Sequence, residues 1–237
     1  MTKSALYYLI SVLFLIICRG GFPEVILAAT TNSPVIQQNP SDKQILLNGR
    51  IWRNQYSQVS GDQFFLENIF LKGSVTFNGR RFGNLDLKYD IYNDELILSI
   101  ETYPVIIMNK EMVDSFSLVL GNRIFHIINA GNDTSNVLKG YANVLYDGPS
   151  SLYVKYIKKI QPLAVDGKND LFYQDDRIYI RKGTEMIQVE GKRKLLNLFE
   201  DKKKGIRDYL KRNRIKVRQK DPYTFIPVLE YYDSIIK

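Results

Sequence analysis

The chain has 237 residues, of which 45% are hydrophobic and 24% charged, and its formal net charge is +8. This is the composition of an ordinary globular protein, and the length allows one domain with a sizeable core or two small ones. Because the chain has one cysteine and one histidine, we expect no transition-metal site and no cofactor.

The N-terminal residues have the layout of an export signal. A short basic start that includes Lys3 precedes fourteen almost wholly apolar residues, Ala5 to Cys18. This run suits the core of a signal peptide and is shorter than the roughly 20 residues of a membrane-spanning helix. We predict a signal peptide over residues 1–29, with an uncleaved anchor and a buried core segment as alternatives. The protein is then exported and lies in the periplasm, at the outer membrane or outside the cell.

Cys18 has two interpretations. In a lipoprotein it would carry the lipid anchor, but such cysteines follow a small residue, and Ile17 is large. We therefore favour Cys18 as one more apolar residue of the signal. Cleavage after it leaves a mature chain without thiols, so the fold depends on its hydrophobic core and not on disulfides. Membrane contact is expected only through the signal segment or this lipid anchor.

The mature chain begins with a linker and continues into a β domain. Residues 30–48 start with a run rich in Thr, Asn, Gln, Ser and Pro, which predicts an extended linker. Residues 49–190 are the predicted antiparallel β domain. The chain has 16 Tyr and 12 Phe against one Trp, and these aromatic residues favour the half-buried surface of a sheet.

The clearest strands run from Gly73 to Ile100. Asn78-Gly79 is a dipeptide that readily forms a tight hairpin turn, and Asn93-Asp94 marks a second turn. Between them, Leu85 to Tyr92 alternates apolar and polar residues, which predicts one face in the core and one in water. We therefore predict three antiparallel strands in chain order, a β-meander.

Further extended segments are separated by turn residues such as Gly121-Asn122 and Asp175-Asp176. They are Val105–Met108, Phe116–Leu120, Ile124–Ile128, Tyr141–Tyr146, Leu152–Ile157, Leu171–Tyr173, Arg177–Ile180 and Glu185–Val189. About ten strands with short connections predict a mainly β fold, in which one large antiparallel meander sheet curls into a sandwich or a partial barrel. The polar stretch Asn129 to Lys139 predicts a surface loop.

After Gly191 the apolar spacing changes to that of helices, so residues 191–237 predict a short α-helical appendage. Thr224 is a candidate cap of the last helix, whose first turn tolerates Pro227. The predicted apolar faces of these helices consist of Leu195, Leu198 and Phe199; of Ile206, Tyr209 and Leu210; and of Phe225, Val228, Leu229, Tyr232 and Ile236.

The positive charge is concentrated in this appendage. From Lys192 to Lys220 there are 13 Lys and Arg against three acidic residues, a local net charge of +10. Clustered cations bind polyanions by releasing counterions, although amphipathic helices also carry such a polar face without a partner. The candidate anion-binding residues are Lys202, Lys203, Lys204, Arg207, Lys211 and Arg212. Because an exported protein does not meet the usual nucleic acids, we expect no nucleic-acid partner.

No motif specifies catalysis, and no catalytic residue is predicted. His126 lies inside a predicted strand and is expected to be structural. Asp86 and Asp90 are about 13 Å apart along one strand, which exceeds the carboxylate gap of a glycoside hydrolase. Asp166 to Asp170 has the composition of a calcium loop but lacks its alternating ligands, so it predicts a turn.

Turn and strand motifs recur through the first part of the predicted β domain. They are Gly61-Asp-Gln-Phe-Phe-Leu66, Lys72-Gly73-x-Val75, Asn78-Gly79 and Leu87-Lys88-Tyr89-Asp90-x-Tyr92-x-Asp94-x-Leu96. This pattern resembles uncharacterised exported proteins of Gram-negative bacteria, in which a signal peptide precedes a β-meander and a lysine-rich helical tail. The resemblance implies export and this architecture, and it assigns no activity, cofactor or site residue.

The sequence therefore predicts a non-enzymatic binding or structural β module of the cell envelope. It would contact an envelope protein or a glycan through the sheet face or through the loop Asn129 to Lys139. Two alternatives stay open at this point. One is a hydrolase that uses a pair of carboxylates, and the other is a polyanion-binding protein that uses the basic C-terminal helices.

Overall fold

The computed structural model describes residues 40–131, 136–162 and 169–236. The predictions for the signal peptide and Cys18, for the centre of the loop Asn129 to Lys139 and for most of Asp166 to Asp170 fall outside these ranges. Within them, no helix combines the length and the apolar character needed to span a bilayer.

The described residues are organised as thirteen strands followed by three α-helices. The strands are β1 (Gly49–Ile51), β2 (Leu71–Phe77), β3 (Arg80–Asp90), β4 (Glu95–Ser99), β5 (Ile106–Met108), β6 (Val113–Leu120), β7 (Arg123–Asn129), β8 (Tyr141–Asp147), β9 (Ser150–Lys155), β10 (Lys158–Gln161), β11 (Leu171–Gln174), β12 (Arg177–Lys182) and β13 (Glu185–Gln188). The helices are α1 (Lys192–Leu198), α2 (Lys203–Arg212) and α3 (Ile226–Ile235). Short 3-10 helices span Pro40–Leu47, Lys110–Met112, Glu200–Lys202 and Pro222–Phe225.

Eleven of these strands form one antiparallel sheet in the order β1-β5-β4-β3-β2-β6-β7-β8-β9-β12-β13. The predicted fold class is confirmed, because the protein is mainly β with a large antiparallel sheet and short C-terminal helices. The sheet curls strongly but is not closed into a barrel. In a flat sheet β3 and β8 would lie about 19 Å apart, four strand spacings, yet the ring centroids of Tyr89 and Tyr141 are 5.7 Å apart.

The predicted meander is present as β2, β3 and β4. Phe77 pairs with Arg80 across the two-residue turn Asn78-Gly79, whose φ angles are +48° and +75°. Both values lie in the left-handed region that a tight hairpin turn requires, and Asn and Gly adopt it most readily. The hairpin around Gly121-Asn122 is also confirmed, since Leu120 pairs with Arg123.

The prediction of a turn at Asp175-Asp176 that simply continues the sheet is wrong. β11 pairs with β10 in a separate two-stranded sheet, and β12 pairs with β9 instead. The sequence prediction also ended the preceding strand at Ile157 and missed β10. A turn signal marks where the chain changes direction, but it does not determine which strand the next segment pairs with.

The inner face of the sheet, defined here as the face that carries Leu87, Ile127 and Leu152, holds two apolar clusters. The larger one extends from β2 to β8 and includes the mutually packed rings of Tyr89, Phe116 and Tyr141. The second lies on β9 and β12, where the three helices cover the sheet. The helical residues of this second cluster include Leu195, Leu196, Phe199, Ile206, Leu210, Phe225, Val228, Leu229 and Tyr232.

The outer face of β3 is not open to water along its whole length, contrary to the sequence prediction. Lys88 is 8% exposed and Asp90 is 1% exposed. Residues 52–70 pass over this part of the sheet, where Trp52 and Phe70 pack against a buried cluster that includes Phe64. Alternation along a strand identifies its two faces, but it does not show which distant segment covers the second one.

Two details of the helical prediction are wrong. Thr224 lies inside the 3-10 turn before α3 and accepts from Arg218 N instead of capping the helix. Ile236 is 42% exposed, and the buried residue near the end of α3 is Asp233. Asp233 accepts hydrogen bonds from the backbone N–H and hydroxyl of Ser150 and from the hydroxyl of Tyr146. The helix is therefore attached to the sheet through a polar contact as well as through apolar packing.

Candidate functional site

A polar pocket of about 90 Å³ opens beside the edge strand β1 and the β3–β4 turn. Its lining residues are Arg50, Ile51, Trp52, Arg53, Gln55, Tyr56, Gln63, Asp90, Asn93, Glu95 and Ile107. The sequence predicted none of them as site residues, because they come from four separate segments. The chain brings them together where residues 52–63 cross the outer face of the sheet.

The side-chain amides of Asn93 and Gln63, which both line this pocket, differ in their hydrogen bonding. Asn93 is fixed, because its Oδ1 accepts from the Tyr56 hydroxyl at 3.1 Å and its Nδ2 donates to Asp90 at 2.9 Å. Gln63 is 4% exposed, and among the described residues its side-chain amide has no hydrogen-bond partner. Neither polar atom of this amide is fully buried, and the residue lines the pocket. Gln63 therefore offers unused donors and one unused acceptor to the pocket.

Asp90 and Glu95 are the two carboxylates of the pocket. They pair directly across β3 and β4, so their Cα atoms lie about 5 Å apart. Both oxygens of Asp90 accept hydrogen bonds inside its own turn, from the backbone of Tyr92 and Asn93 and from the Asn93 amide. Glu95 forms an ion pair with Arg50. These engagements favour a structural role in closing the hairpin over the role of a hydrolytic acid–base pair.

Burial affects the titration of Asp90. The pKa of its carboxyl group is raised above the usual value because burial penalises the anion, and the hydrogen bonds from Asn93 and Tyr92 oppose this effect. The nearby Glu95 adds to the increase. The ionised form of Asp90 therefore carries an energetic cost in the folded protein.

Lys88 lies next to the pocket wall in a cage of three aromatic rings. Its Nζ is 4.4 Å from the ring centroid of Phe64, 4.6 Å from that of Phe70 and 5.9 Å from that of Trp52. The ammonium group donates to Asn68 Oδ1 at 3.0 Å. Burial lowers the pKa of Lys88, although Asp62 opposes the shift. The contacts between this cation and the rings fasten residues 52–70 to the sheet.

A second charged cluster surrounds Asp94 at the end of the inner face. Its Oδ2 lies 2.6 Å from Lys110 Nζ and 2.9 Å from Lys155 Nζ, and its Oδ1 accepts from the Tyr89 hydroxyl at 2.7 Å. A Cβ atom on Gly140, whose φ is +66°, would overlap Asp94 Oδ2. Glycine at this position therefore lets the β7–β8 connection pass close to the carboxylate.

The pKa values in this cluster follow from burial and charge together. Burial raises the pKa of Asp94, but Lys155 and Lys110 outweigh it, so the net shift is downward. For Lys155 burial lowers the pKa more than Asp94 raises it. The pKa of Tyr89 is raised well above its usual value by burial and by Asp94. The cluster is thus a compact ionic junction between β4, β9 and the segment before β6.

Four of the five basic residues of α2 are exposed. Lys204, Arg207 and Lys211 follow helical spacing on one face, opposite the buried Ile206 and Leu210. Together with the exposed Arg212 they form what we call the basic helical surface. None of these four cations forms an ion pair with another residue in the described ranges.

The other two predicted cations differ from these four. Lys202 and Lys203 are half-buried, and Lys203 contacts Glu200 at 3.7 Å and Asn197 at 3.1 Å. Lys203 therefore has partners within the protein, and Lys202 is less exposed than the four residues of the basic helical surface.

The remaining sequence candidates are placed as follows. His126 is exposed on β7, opposite Ser117. On the sheet face, which the sequence predicts as a contact surface, Tyr153 is 7% exposed and packs on the outer side, so its ring is not available to a partner. Across the part of the chain that the structure describes, no three His, Cys, Asp or Glu side chains are grouped as a metal site requires.

Comparison with known proteins found no matching family model, no matching curated protein and no matching solved structure. The interpretation of function therefore depends on the residues themselves.

Proposed function

We propose that this protein is an exported, non-enzymatic β module of the bacterial cell envelope that binds an anionic polymer or surface through its basic helical surface. The main observation that supports this proposal is the group of exposed cations on α2, which form no ion pairs among the described residues. Elsewhere many charges are neutralised in pairs, such as Arg50 with Glu95 and Lys72 with Asp86. Asp208 is the one exposed acidic residue of α2, so the helix keeps an excess of positive charge, and such a face attracts closely spaced negative groups.

The packing of α2 supports this role. Ile206 and Leu210 are buried in the second apolar cluster, and Tyr209 stacks on Tyr231 of α3 with ring centroids 4.3 Å apart. The helix is held firmly on its inner side, so the Cα atoms of its outward cations keep a fixed spacing. An ordered helix loses less backbone freedom on binding than a disordered basic tail does.

The experiment compares two double charge reversals that change the net charge equally. Arg207→Glu with Lys211→Glu removes half of the basic helical surface, whereas Arg123→Glu with Lys139→Glu alters exposed cations elsewhere. Each interfacial cation contributes about 1 kcal/mol, so we expect the first variant to bind heparin at least about 30-fold more weakly. The control should elute from a heparin column at nearly the salt concentration of the wild type.

Two arms distinguish the source of the negative charge. Heparin represents a soluble acidic polysaccharide, and vesicles with and without phosphatidylglycerol represent an anionic lipid surface. If both double variants lose the same affinity for heparin and for the anionic vesicles, the net charge of the protein explains the binding and the proposed site is wrong.

Export is tested separately. Fractionation of cells that express the full chain, followed by sequencing of the mature N-terminus, should recover a processed protein outside the cytoplasm. An unprocessed chain in the cytosol would contradict the envelope assignment without affecting the binding experiment.

A further inference from the structure

We propose that the polar pocket beside β1 binds the end of a neutral saccharide. This inference does not depend on the basic helical surface, because none of the four residues of that surface lines the pocket. It depends on four properties of the pocket: an amide without a partner, aromatic walls, balanced charge and a size suited to one edge of a sugar ring.

The free amide belongs to Gln63. Its side chain is almost fully buried, it lines the pocket, and it lacks a hydrogen-bond partner within the described residues. A primary amide presents donors and an acceptor side by side, which matches a sugar hydroxyl that both donates and accepts. Ligand binding would give Gln63 the partners that the folded chain does not provide.

The aromatic walls are Trp52 and Tyr56, both half-buried. Tyr56 is held in place by edge contacts with Tyr92 and Phe172, at ring-centroid distances of 5.0 and 5.7 Å. Its hydroxyl donates to Asn93. The ring therefore has a fixed position, and the C–H face of a pyranose can pack on such a surface while its hydroxyls reach the polar groups.

The charges of the pocket favour an uncharged ligand. Two cations, Arg50 and Arg53, face two carboxylates, Asp90 and Glu95. Arg50 and Glu95 already neutralise each other, and Asp90 is saturated by its own turn. A charged ligand would be repelled by two of these groups and attracted by the other two. Neutral hydroxyl groups can hydrogen-bond both to carboxylates and to guanidinium groups.

The size of the pocket sets the part of the ligand that it accepts. Pockets for whole drug-sized ligands usually measure about 300 to 1,000 Å³, and this one holds about 90 Å³. It therefore takes one edge of a terminal sugar ring, while the rest of the saccharide continues over the exposed surface near Arg53 and Gln55.

The pocket contains its own probe, because Trp52 is the only tryptophan of the chain. We would titrate the folded protein with glucose, N-acetylglucosamine, maltose and diacetylchitobiose, and with glucuronate as the charged comparison, while recording tryptophan emission. The expected result is a saturable change with at least one neutral saccharide and a weaker one with glucuronate. No response to any neutral sugar, or tighter binding of glucuronate, would overturn the proposal.

Variants assign the binding to the pocket. Gln63→Ala should weaken the binding of the saccharide that responds by about tenfold, which is the effect of losing one hydrogen-bonding group. Tyr56→Phe keeps the aromatic ring but removes the hydroxyl that bonds to Asn93, so we expect a smaller loss of affinity. This variant provides the test if Gln63→Ala fails to fold. Gln58→Ala changes an exposed glutamine outside the pocket and should bind as the wild type does. Unchanged affinity in both pocket variants would refute the assignment.

Discussion

The sheet and the C-terminal helices differ in how their charged side chains are paired. In the sheet, buried or half-buried carboxylates are surrounded by partners: Asp94 by two lysines, and Asp90 by the N–H groups of its own turn. On α2, Lys204, Arg207 and Lys211 are exposed on one face without ion pairs among the described residues. Charges in the sheet are therefore engaged by partners within the fold, whereas those on α2 contribute little to stability and remain available to a partner.

One carboxylate connects the two regions, and its loss should have the largest effect on stability. Asp233→Ala leaves the backbone N–H and hydroxyl of Ser150 and the hydroxyl of Tyr146 without their acceptor. Because Asp233 is 4% exposed, we expect the free energy of unfolding to fall by about 3 kcal/mol. Urea unfolding measures the change, and hydrogen exchange should locate it in α3. Loss confined to β2–β4 would contradict this connection.

The ionic junction of the sheet should show the next largest effect. Asp94→Asn leaves Lys110 and Lys155 close together without a counter-charge. Because these side chains keep partial contact with solvent, we expect a loss of about 2 kcal/mol, below the full value for a buried pair. The matched control is Asp86→Asn, which breaks an exposed pair with Lys72 and should cost less than about 1 kcal/mol. Equal effects of the two variants would show that burial does not matter here.

The two buried aspartates of the sheet should respond oppositely to acid. The pKa of Asp94 is lowered in the folded protein, so its contribution is present above the unfolded pKa of about 3.9 and is lost as the pH falls through the folded value. The pKa of Asp90 is raised, so its ionisation costs stability at neutral pH, and protonation relieves that cost as the pH falls. Asp94→Asn should therefore flatten the loss of stability below pH 5, and Asp90→Asn should steepen it. Denaturant unfolding at several pH values compares the slopes.

The smallest effect is expected on α2 and has the opposite sign. Arg207 lies three residues after Lys204 and four before Lys211, so like charges are neighbours on the helix surface. Arg207→Gln should raise the free energy of unfolding by about 0.3 kcal/mol while it weakens heparin binding. Thermal unfolding at low salt tests the first effect. A clear loss of stability would mean that Arg207 has a structural partner.

Local patterns were sufficient for most of the strands and for the exposed cations of α2. Asn78-Gly79 predicts its hairpin because only a few residues adopt the required backbone angles, and the spacing of Ile206 and Leu210 identifies the buried side of α2. Exposure of Lys204, Arg207, Lys211 and Arg212 follows from the same spacing.

The polar pocket and the buried charges could not be found in this way. Gln63 lies in a segment without periodicity, and its burial depends on where residues 52–63 cross strands that come later in the chain. Lys88 and Asp90 alternate as solvent-facing residues would, yet a distant segment covers them. Asp233 is a polar residue between apolar positions of the last helix, and only the position of the β8–β9 turn supplies its three hydrogen-bond donors.

The strand order has a consequence for how the chain folds. Seven of the ten neighbouring strand pairs in the large sheet are also consecutive in sequence, and three are not: β1 with β5, β2 with β6, and β9 with β12. Hairpins between consecutive strands close short loops and form early, whereas the three long-range pairings each bring together segments separated by other strands. The β2–β6 pairing joins the meander of β2, β3 and β4 to the later strands of the sheet. The curled core can assemble as one cooperative unit only after this pairing has formed.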